Sequence, residues 1–194
     1  MAQSPIAQFH TDYGLFNIAA FESDTSAVDV AMWMGDVTGD PAPIVRVQSS
    51  CLTSTALMGD VCDCAEQMRL ALSTIAGEQR GVYIYLSQEG RGLGLFEKIA
   101  GLAQMNAGAD TVDAYALRGL APDIRVYDEA LDILRSLRVG PAIRLMTNNP
   151  AKLRALADGG MTVARMSAEV APTERTRGYL TTKKARFGHH LDLV

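Results

Sequence analysis

The sequence lacks the segments that direct a protein into a membrane or out of the cell. Residues 1–12 have neither the basic start nor the apolar run of a secretion signal. No later stretch approaches the roughly 20 apolar residues that a membrane-spanning helix needs. Internal repeats, low-complexity tracts and obvious linkers are also missing, so we expect a single domain over residues 1–194. These absences predict a cytoplasmic protein without a membrane partner.

Basic residues are outnumbered by acidic ones, 18 to 22, which gives a net charge of −4 at pH 7. This balance provides no general attraction to nucleic acid, so we expect no nucleic-acid partner. A local cluster of arginines could still bind a small polyanion. Hydrophobic residues make up 48% of the chain. That share is enough for a substantial core in one large domain or in two closely joined lobes.

Cysteine is scarce, and its whole supply falls within fourteen residues, at Cys51, Cys62 and Cys64. An odd number of cysteines in a reducing compartment favours metal binding over disulfides. Three thiolates fill three of the four tetrahedral positions of zinc and leave one for a water, whose pKa the metal lowers to about 7. The spacing therefore predicts one catalytic Zn²⁺ per chain.

Two other interpretations of the cysteines stay open. Free cysteine is among the most buried residue types, so the three could be ordinary core residues, although their clustering argues against this. A structural zinc would need a fourth ligand. The three histidines, His10, His189 and His190, stand at the chain ends without ligand-like spacing to the cluster.

Apolar patterns and turn residues predict an α/β fold. In the N-terminal third, segments separated by turn clusters at residues 22–26 and 35–43 indicate antiparallel strands. After Cys64, strands alternate with helices, which is typical of a mixed or parallel sheet. The predicted strands cover residues 13–21, 27–34, 44–49, 82–86 and 142–146. The first predicted helix covers about thirteen residues after Cys64 and is ended by Gly77, and the later helices cover residues 96–107, 128–137 and 151–156.

A glycine-rich turn joins the predicted strand at 82–86 to the next helix. Its glycines, Gly90, Gly92 and Gly94, let backbone amides approach a ligand closely, and Arg91 beside a helix N-terminus suits phosphate. The same pattern also describes an ordinary turn, because it completes neither the dinucleotide-binding nor the P-loop fingerprint.

Two further segments that precede helices carry polar groups. Residues 147–150, Thr-Asn-Asn-Pro, are followed by Lys152, and Asp123 and Arg125 precede the helix predicted to begin near residue 128. A structural interpretation is adequate for each. In the first, an asparagine is the N-cap and the proline takes the first helical position; in the second, Asp123 is an N-cap and Arg125 a solvated charge.

The order and spacing of these signals resemble the GTP cyclohydrolase II family, the zinc enzymes that open the imidazole ring of GTP at the start of riboflavin synthesis. The resemblance runs nearly from end to end, and so many ordered matches are far more specific than any one of them. The matching segments are residues 49–53, 62–64, 88–91, 110–111, 119–125, 145–150, 178–183 and 188–189.

The resemblance implies a set of roles. The three cysteines would hold zinc, and zinc-bound water would attack C8 of the base. Arg125 would attack the α-phosphate and expel pyrophosphate while Asp123 takes a proton. An arginine with a pKa above about 12 would more simply stabilise charge. The implied substrate-binding residues are Arg46, Val47, Gln48, Ser49, Ser50, Gln67, Glu89, Gly90, Arg91, Thr111, Thr147 and Lys152.

The resemblance also implies what the protein binds. The substrate would be GTP or a close purine nucleotide, and the active species would be a homodimer. Mg²⁺ would accompany the triphosphate, because it neutralises clustered phosphate charge and prefers oxygen ligands.

The sequence departs from the family pattern around the metal and the nucleotide. The family reads Arg-Val-His-Ser-Glu-Cys where residues 46–51 read Arg-Val-Gln-Ser-Ser-Cys, and a family tyrosine on the helix after the glycine-rich turn is Leu102. Thr55, Val61 and Ala65 stand in place of a family Asp, Arg and Gly. Because these changes leave the scaffold alone, they suggest an altered reaction in a diverged paralogue, in riboflavin synthesis or a specialised pathway.

Leu102 gives the most specific expectation. A leucine cannot donate or orient a proton, whereas formate release from the opened ring must protonate an amine leaving group. We therefore expect the reaction to stop at the formamidopyrimidine nucleotide. The alternative is a non-catalytic purine-nucleotide-binding paralogue with a structural zinc. Retention of three thiols together with Asp123 and Arg125 argues against that alternative.

Overall fold

The computed structural model describes residues 1–22 and 27–194, and in these ranges eight strands form one sheet. The turn predicted over residues 22–26 lies outside the described residues except for Glu22. The strands are β1 (Ala2–Gln3), β2 (Ala7–Thr11), β3 (Gly14–Glu22), β4 (Val28–Met34), β5 (Ile44–Ser49), β6 (Gly81–Leu86), β7 (Ala142–Met146) and β8 (Thr162–Met166). The helices are α1 (Leu52–Thr55), α2 (Cys64–Glu78), α3 (Gly94–Asn106), α4 (Asp113–Ala116), α5 (Asp128–Ser136), α6 (Pro150–Asp158) and α7 (Glu174–Phe187), and a 3₁₀ turn covers Glu89–Gly92.

The sheet is antiparallel in its N-terminal part and parallel beyond it. β1 and β2 both pair with β3, β3 pairs with β4, and β4 pairs with β6, all antiparallel. β5 lies between β6 and β7 and runs parallel to both, and β8 runs parallel to β7 at the edge. The prediction of a mixed α/β sheet with antiparallel N-terminal strands is confirmed.

Helices cover both faces of the parallel part of the sheet. Neighbouring residues of β5 point to opposite faces, so Ile44 packs with Leu72 and Ile75 of α2, while Val45 packs on the other side with Ile133 of α5. A central strand shielded on both faces needs apolar side chains throughout, which explains the largely apolar sequences of β5 and β6. The polar exceptions in β5 lie near its carboxyl end.

Helix ends differ in part from their predicted positions. Gly77 does not end α2; the helix continues to Glu78, and Gln79 follows in the left-handed conformation with φ 52°. The Asp123 N-cap is wrong, because α5 begins five residues later at Asp128 and its N-cap position is Tyr127. The asparagine N-cap before Pro150 is confirmed, since Asn149 Oδ1 accepts from the amide of Ala151 at 2.9 Å.

Helix α7 was not predicted from the sequence. It begins with a capping box in which Thr173 and Thr176 exchange two hydrogen bonds between side chains and backbone amides, 3.1 and 2.9 Å long. It ends at Gly188, which has φ 65°. Thr176 and Leu180 are its buried residues, so most of the helix surface is polar.

Among the helices of the described ranges, none combines the length and the apolar character that crossing a membrane requires. The cytoplasmic location, the single domain and the lack of a nucleic-acid partner stay predictions.

Candidate active site

A cavity opens at the carboxyl ends of β5, β6 and β7, where three parallel strands end side by side. Ser50 follows β5, Gln88 lies just beyond β6 and Thr147 follows β7, and all three line the cavity. Residues of α3 and α7 complete the wall, which encloses about 1090 Å³ including the open mouth. This edge is where open α/β sheets usually bind their ligands.

The three cysteine sulfur atoms lie within 4.8 Å of one another in the cavity wall. Cys51 is the second residue after β5, Cys64 begins α2, and Cys62 lies in the loop before α2. The sulfur atoms of Cys51 and Cys62 are 3.6 Å apart, far beyond the about 2.05 Å of a disulfide. No histidine or carboxylate of residues 1–22 and 27–194 joins the group. Three soft donors without a fourth fit an open zinc site.

Hydrogen bonds make the three thiols unequal. Hydrogen bonds from Cys62 and Cys64, together with the Lys98 ammonium, lower the pKa of Cys51. Hydrogen bonding to Cys51 and burial raise the pKa of Cys62 and that of Cys64. The Lys98 ammonium therefore favours the thiolate form of Cys51, and a metal would have to displace the proton of any thiol that remains neutral.

Lys98 on α3 connects the cysteine cluster to the glycine-rich turn. Its Nζ lies 3.0 Å from the Cys51 sulfur and 2.8 Å from Glu89 Oε1. The Glu89 carboxylate also accepts hydrogen bonds from the amides of Leu52 at 2.7 Å and Gly90 at 3.0 Å. Glu89 thus joins α1, the 3₁₀ turn and α3, and its oxygen atoms are engaged by protein groups.

The Arg91 side chain connects the same turn to residues 111 and 122. Its backbone is left-handed, with φ 62°, and its guanidinium donates to Thr111 O at 2.9 Å, Thr111 Oγ1 at 2.6 Å and Pro122 O at 3.2 Å. The guanidinium carbon also lies 5.3 Å from the ring centre of Tyr115 and 4.9 Å from that of Phe187. Cation–π contacts on two rings and three hydrogen bonds fix this side chain.

Asp123 and Arg125 form an ion pair in the loop before α5. Arg125 donates from Nε to Asp123 Oδ1 at 2.9 Å and from Nη2 to Asp123 Oδ2. Burial would raise the pKa of Asp123, but the arginine outweighs it and lowers that pKa, and the pair in turn raises the pKa of Arg125 despite burial. Arg125 lines the cavity and reaches Ser49 Oγ at 3.4 Å.

Two buried cations in the cavity wall have no acidic partner among the described residues. Arg46 is 4% exposed and Lys152 is 6% exposed. Arg46 donates to the side-chain oxygens of Gln48 at 3.2 Å and Gln67 at 2.5 Å, and Lys152 donates to Val47 O at 2.8 Å. Burial lowers the pKa of both cations, because they lose hydration. An anion in the cavity would supply the missing charge.

Most of the predicted site residues meet in this one cavity. Two do not line it. Asp123 is connected to the cavity through its ion pair with Arg125. The side chain of Val47 belongs to the core, and its carbonyl accepts a hydrogen bond from the lining residue Lys152. The predicted residues that line the cavity are Arg46, Gln48, Ser49, Ser50, Cys51, Cys62, Cys64, Gln67, Glu89, Gly90, Arg91, Thr111, Arg125, Thr147 and Lys152. Their individual roles stay predictions.

Several lining residues are not among the site residues predicted from the sequence. Lys98 stands four residues before Leu102 on α3, and Tyr179 stands four before Lys183 on α7. This spacing places the two residues of each pair on one helix face. The spacing identifies them as neighbours only when the bounds of α3 and α7 are known. His189 also lines the cavity; burial and the nearby Lys183 lower its pKa to about 2, so its imidazole is neutral.

Asn148 was also missed, although it belongs to the predicted junction after β7. It is 3% exposed and lines the cavity. Its Oδ1 accepts from the amide of Ala168 at 2.9 Å, which fixes the orientation of the amide group. Its Nδ2 has no hydrogen-bond partner within the described ranges, so a buried donor is available to a ligand.

A sequence model described as GTP cyclohydrolase II matches residues 3–168. The chain belongs to the GTP cyclohydrolase II family. Among its relatives, GTP cyclohydrolase-2 of Tolumonas auensis is 42% identical over 187 residues, covering 95% of this chain and 94% of the relative. GTP cyclohydrolase-2 of Pseudomonas syringae pv. tomato is 44% identical over 182 residues, covering 92% and 88%. The predicted membership in this family of hydrolases is confirmed.

The GTP cyclohydrolase II sequence also occurs within longer proteins. The riboflavin biosynthesis protein RibBA of Bacillus velezensis is 39% identical over 184 residues, which cover 93% of this chain and 46% of that protein. The crystal structure of RibBX, a two-domain 3,4-dihydroxy-2-butanone 4-phosphate synthase from A. baumannii, superposes with a TM-score of 0.50 at 16% identity. It covers 87% of this chain and 40% of RibBX, and at this identity it supports the fold alone.

Proposed function

We propose that the chain is a zinc-dependent hydrolase that opens the imidazole ring of GTP, or a close purine nucleotide, at C8 and releases pyrophosphate. The relatives described above carry the names GTP cyclohydrolase-2 and riboflavin biosynthesis protein. One observation carries the proposal. The three cysteine sulfurs lie within 4.8 Å of one another in the same cavity wall as the buried cations Arg46 and Lys152.

The cysteine cluster supports a catalytic metal. Cys51, Cys62 and Cys64 would hold the zinc ion through three sulfur atoms that the fold already brings together. When bound, zinc supplies a water whose pKa is lowered to about 7. The neighbouring Lys98 ammonium, 3.0 Å from the Cys51 sulfur, offsets the negative charge of three thiolates.

Positive charge in the cavity wall supports a polyphosphate. Arg46 and Lys152 are buried, and Arg125 faces the same space. A triphosphate would compensate these charges and gain interactions that water cannot match in a desolvated site. Among the residues that the structure describes, Glu89 supplies the one carboxylate that lines the cavity, and it is already bound to Lys98 and two backbone amides. Mg²⁺ would therefore rely mainly on phosphate oxygens and water.

The geometry of Arg125 favours charge stabilisation over covalent attack. An arginine attacks phosphorus only after losing a proton, and the Asp123 carboxylate raises the pKa of Arg125 further. Held in a fixed fork by Asp123, the guanidinium can stabilise the charge that develops on the α-phosphate as pyrophosphate leaves. The family scheme, in which the arginine attacks phosphorus, requires this loss of a proton and is therefore the more demanding of the two roles.

Leu102 supports an arrested reaction. It lines the cavity one helical turn after Lys98, so no phenol stands at this point of α3. The residue before it is Gly101, where a side chain would meet the Tyr115 ring at 3.6 Å, so the Tyr115 ring lies beside this turn of α3 and its phenol is a candidate replacement. Burial raises the pKa of Tyr115, which makes it a poorer proton donor. We propose that the product keeps its formyl group.

A homodimer is also part of the proposal. Leu95, Phe96 and Ile99 on α3 are 38%, 79% and 49% exposed, and Leu117 after α4 is 69% exposed. Arg118 and Glu97 form an ion pair that joins these two segments. Several large apolar side chains on one surface favour coverage by a second copy of the chain.

Mass analysis of the products of GTP incubated with the protein, Zn²⁺ and Mg²⁺ tests the proposed function. A ring-opened nucleotide together with pyrophosphate supports it. Unchanged GTP that nevertheless binds with a stoichiometry near one would favour the non-catalytic, nucleotide-binding alternative. A diaminopyrimidine with released formate would keep the hydrolase and remove the arrested step. Whether the product enters riboflavin synthesis or a specialised pathway depends on which of these products forms.

A further inference from the structure

Helix α7 reaches the loop that carries two of the three cysteines. Lys183 Nζ lies 3.3 Å from Asp63 Oδ1, and Asp63 stands between Cys62 and Cys64 in the sequence. The side chains of Lys183 and Asp63 are only 15% and 3% exposed. The Asp63 carboxylate is not part of the cysteine cluster. Its contacts are with protein donors, so its position in the chain does not make it a ligand.

Asp63 also links this ion pair to the buried cation Arg46. Its Oδ2 accepts from Gln67 Nε2 at 2.6 Å, and Gln67 Oε1 accepts from Arg46 Nη2 at 2.5 Å. Arg46 Nη2 also donates to Gln48 Oε1 at 3.2 Å, and Gln48 Nε2 donates to the carbonyl of Cys64 at 2.9 Å. The hydrogen bonds therefore run from Asp63 through Arg46 and return to the backbone of Cys64.

Without Lys183, Asp63 would lose its direct ion-pair partner. Arg46 reaches it through neutral amides, while Asp63 is almost fully buried and has Lys183 as its ion-pair partner. Removing one partner of a buried pair leaves a charge without its direct partner, which the loop can relieve by moving Asp63 toward water. Such a movement would displace Cys62 and Cys64, its two chain neighbours.

We infer that Lys183 is a positioning residue that holds the loop of Cys62 and Cys64 in its metal-binding geometry through the Asp63 carboxylate. Lys183 lies on α7, after residue 168, where the match to the family model ends, and at the end of the segment 178–183 that resembles the family in sequence. The inference rests on the zinc site of the proposed function. Outer partners of metal ligands typically change metal affinity by about 10–100-fold when they are removed.

Transfer of zinc from the full-length protein to a chromophoric chelator tests the inference without any nucleotide. We expect Lys183→Met to lower the zinc affinity by about 10–100-fold, and Lys183→Arg, which keeps the charge, to stay within a few-fold of the wild type. Arg186→Met is the matched control. Arg186 is on the same helix and pairs with Asp110 and Asp113, but it is 46% exposed and outside the network.

Asp63→Asn and the double variant Lys183→Met, Asp63→Asn complete the test. Without the carboxylate, loss of Lys183 should have little further effect, so the double variant should bind zinc about as well as Asp63→Asn. Wild-type zinc affinity in Lys183→Met would overturn the inference, and so would an equal loss in Arg186→Met, which would show that helix docking in general is responsible. Circular dichroism confirms that each variant is folded. A wild-type protein that binds no zinc would instead refute the metal of the proposed function.

Discussion

The guanidinium of Arg125 lies against the carboxylate of Asp123 with two nitrogen atoms facing two oxygen atoms. The two residues are separated by one position, and the Arg125 backbone amide also donates to Asp123 Oδ1 at 3.1 Å. These hydrogen bonds within a three-residue segment fix the Arg125 side chain before any substrate binds. Orientation of this kind costs no reorganisation during a reaction.

Arg125→Ala is expected to lower kcat by about 10²–10³-fold, because a fixed donor to developing charge is lost. Arg125→Lys should recover only part of the rate, since an ammonium keeps the charge but lacks the fork. Steady-state kinetics with GTP measures both. Arg118→Ala, which removes a similar ion pair outside the cavity, is the control for unspecific loss. Turnover of Arg125→Ala at the wild-type rate would show that the residue has no catalytic role.

Cys62→Ser and Cys64→Ser are expected to remove the metal. The protein as purified should contain about one zinc per chain. Each serine should lower the occupancy and abolish ring opening, because residues 1–22 and 27–194 offer the site no fourth ligand to compensate. Elemental analysis of dialysed protein gives the stoichiometry. Full occupancy in the double serine variant would place the metal elsewhere.

Nucleotide binding should take up protons through Lys152. Burial, with the positive charges of Arg46 and Arg125, holds the pKa of Lys152 well below its usual range. A polyphosphate beside the ammonium raises that pKa again, so the bound state carries more protons and the affinity falls as pH rises through the lowered pKa. Calorimetry in buffers of different ionisation enthalpy counts the protons.

Lys152→Met separates this uptake from protonation of the nucleotide itself. The variant should bind GTP more weakly and should lose the share of proton uptake that belongs to Lys152. Lys184→Met is the control, because Lys184 is an exposed lysine outside the cavity wall. Equal proton uptake in wild type and Lys152→Met would mean that the lysine does not change its protonation on binding.

Leu102→Tyr is expected to restore formate release. The wild-type product should be heavier than the deformylated nucleotide by one formyl group, because loss of a positioned proton donor typically slows such a step by about 10²–10⁴-fold. Mass spectrometry and a formate assay follow the two products. Tyr115→Phe in the wild-type background tests whether the Tyr115 phenol contributes to formate release. Stoichiometric formate from the wild type would remove the arrested reaction.

The parallel core of the fold could be predicted because its strands are apolar and its turns carry strong signals. β5 and β7 fall at the predicted residues. β1, β2 and β8 were missed because their side chains are mostly exposed, so no apolar period marks them. Helix α7 was missed for the same reason, since Thr176 and Leu180 are its buried residues and its other side chains are mostly polar.

The site could be predicted where it is local in the sequence. Three cysteines within fourteen residues indicate a metal without any structure. Lys98 and Lys183 escaped notice because each reaches the cluster from a distant helix. Lys183 and Asp63 are 120 residues apart, and only the folded chain shows that they pair. Charge partners of this kind depend on tertiary packing, which sequence spacing does not encode.

The side-by-side ends of the parallel strands have an evolutionary consequence. Each functional loop leaves a different strand, while the strands themselves are anchored in the apolar core. One loop can therefore accumulate substitutions without disturbing the register of the sheet or the neighbouring loops. Of the differences from the family pattern, Gln48 alone lies in a strand, near the end of β5, while Ser50, Thr55, Val61, Ala65 and Leu102 lie in the loops and helices that follow β5 and β6. A scaffold of this design can acquire a new product while its folding stays unchanged.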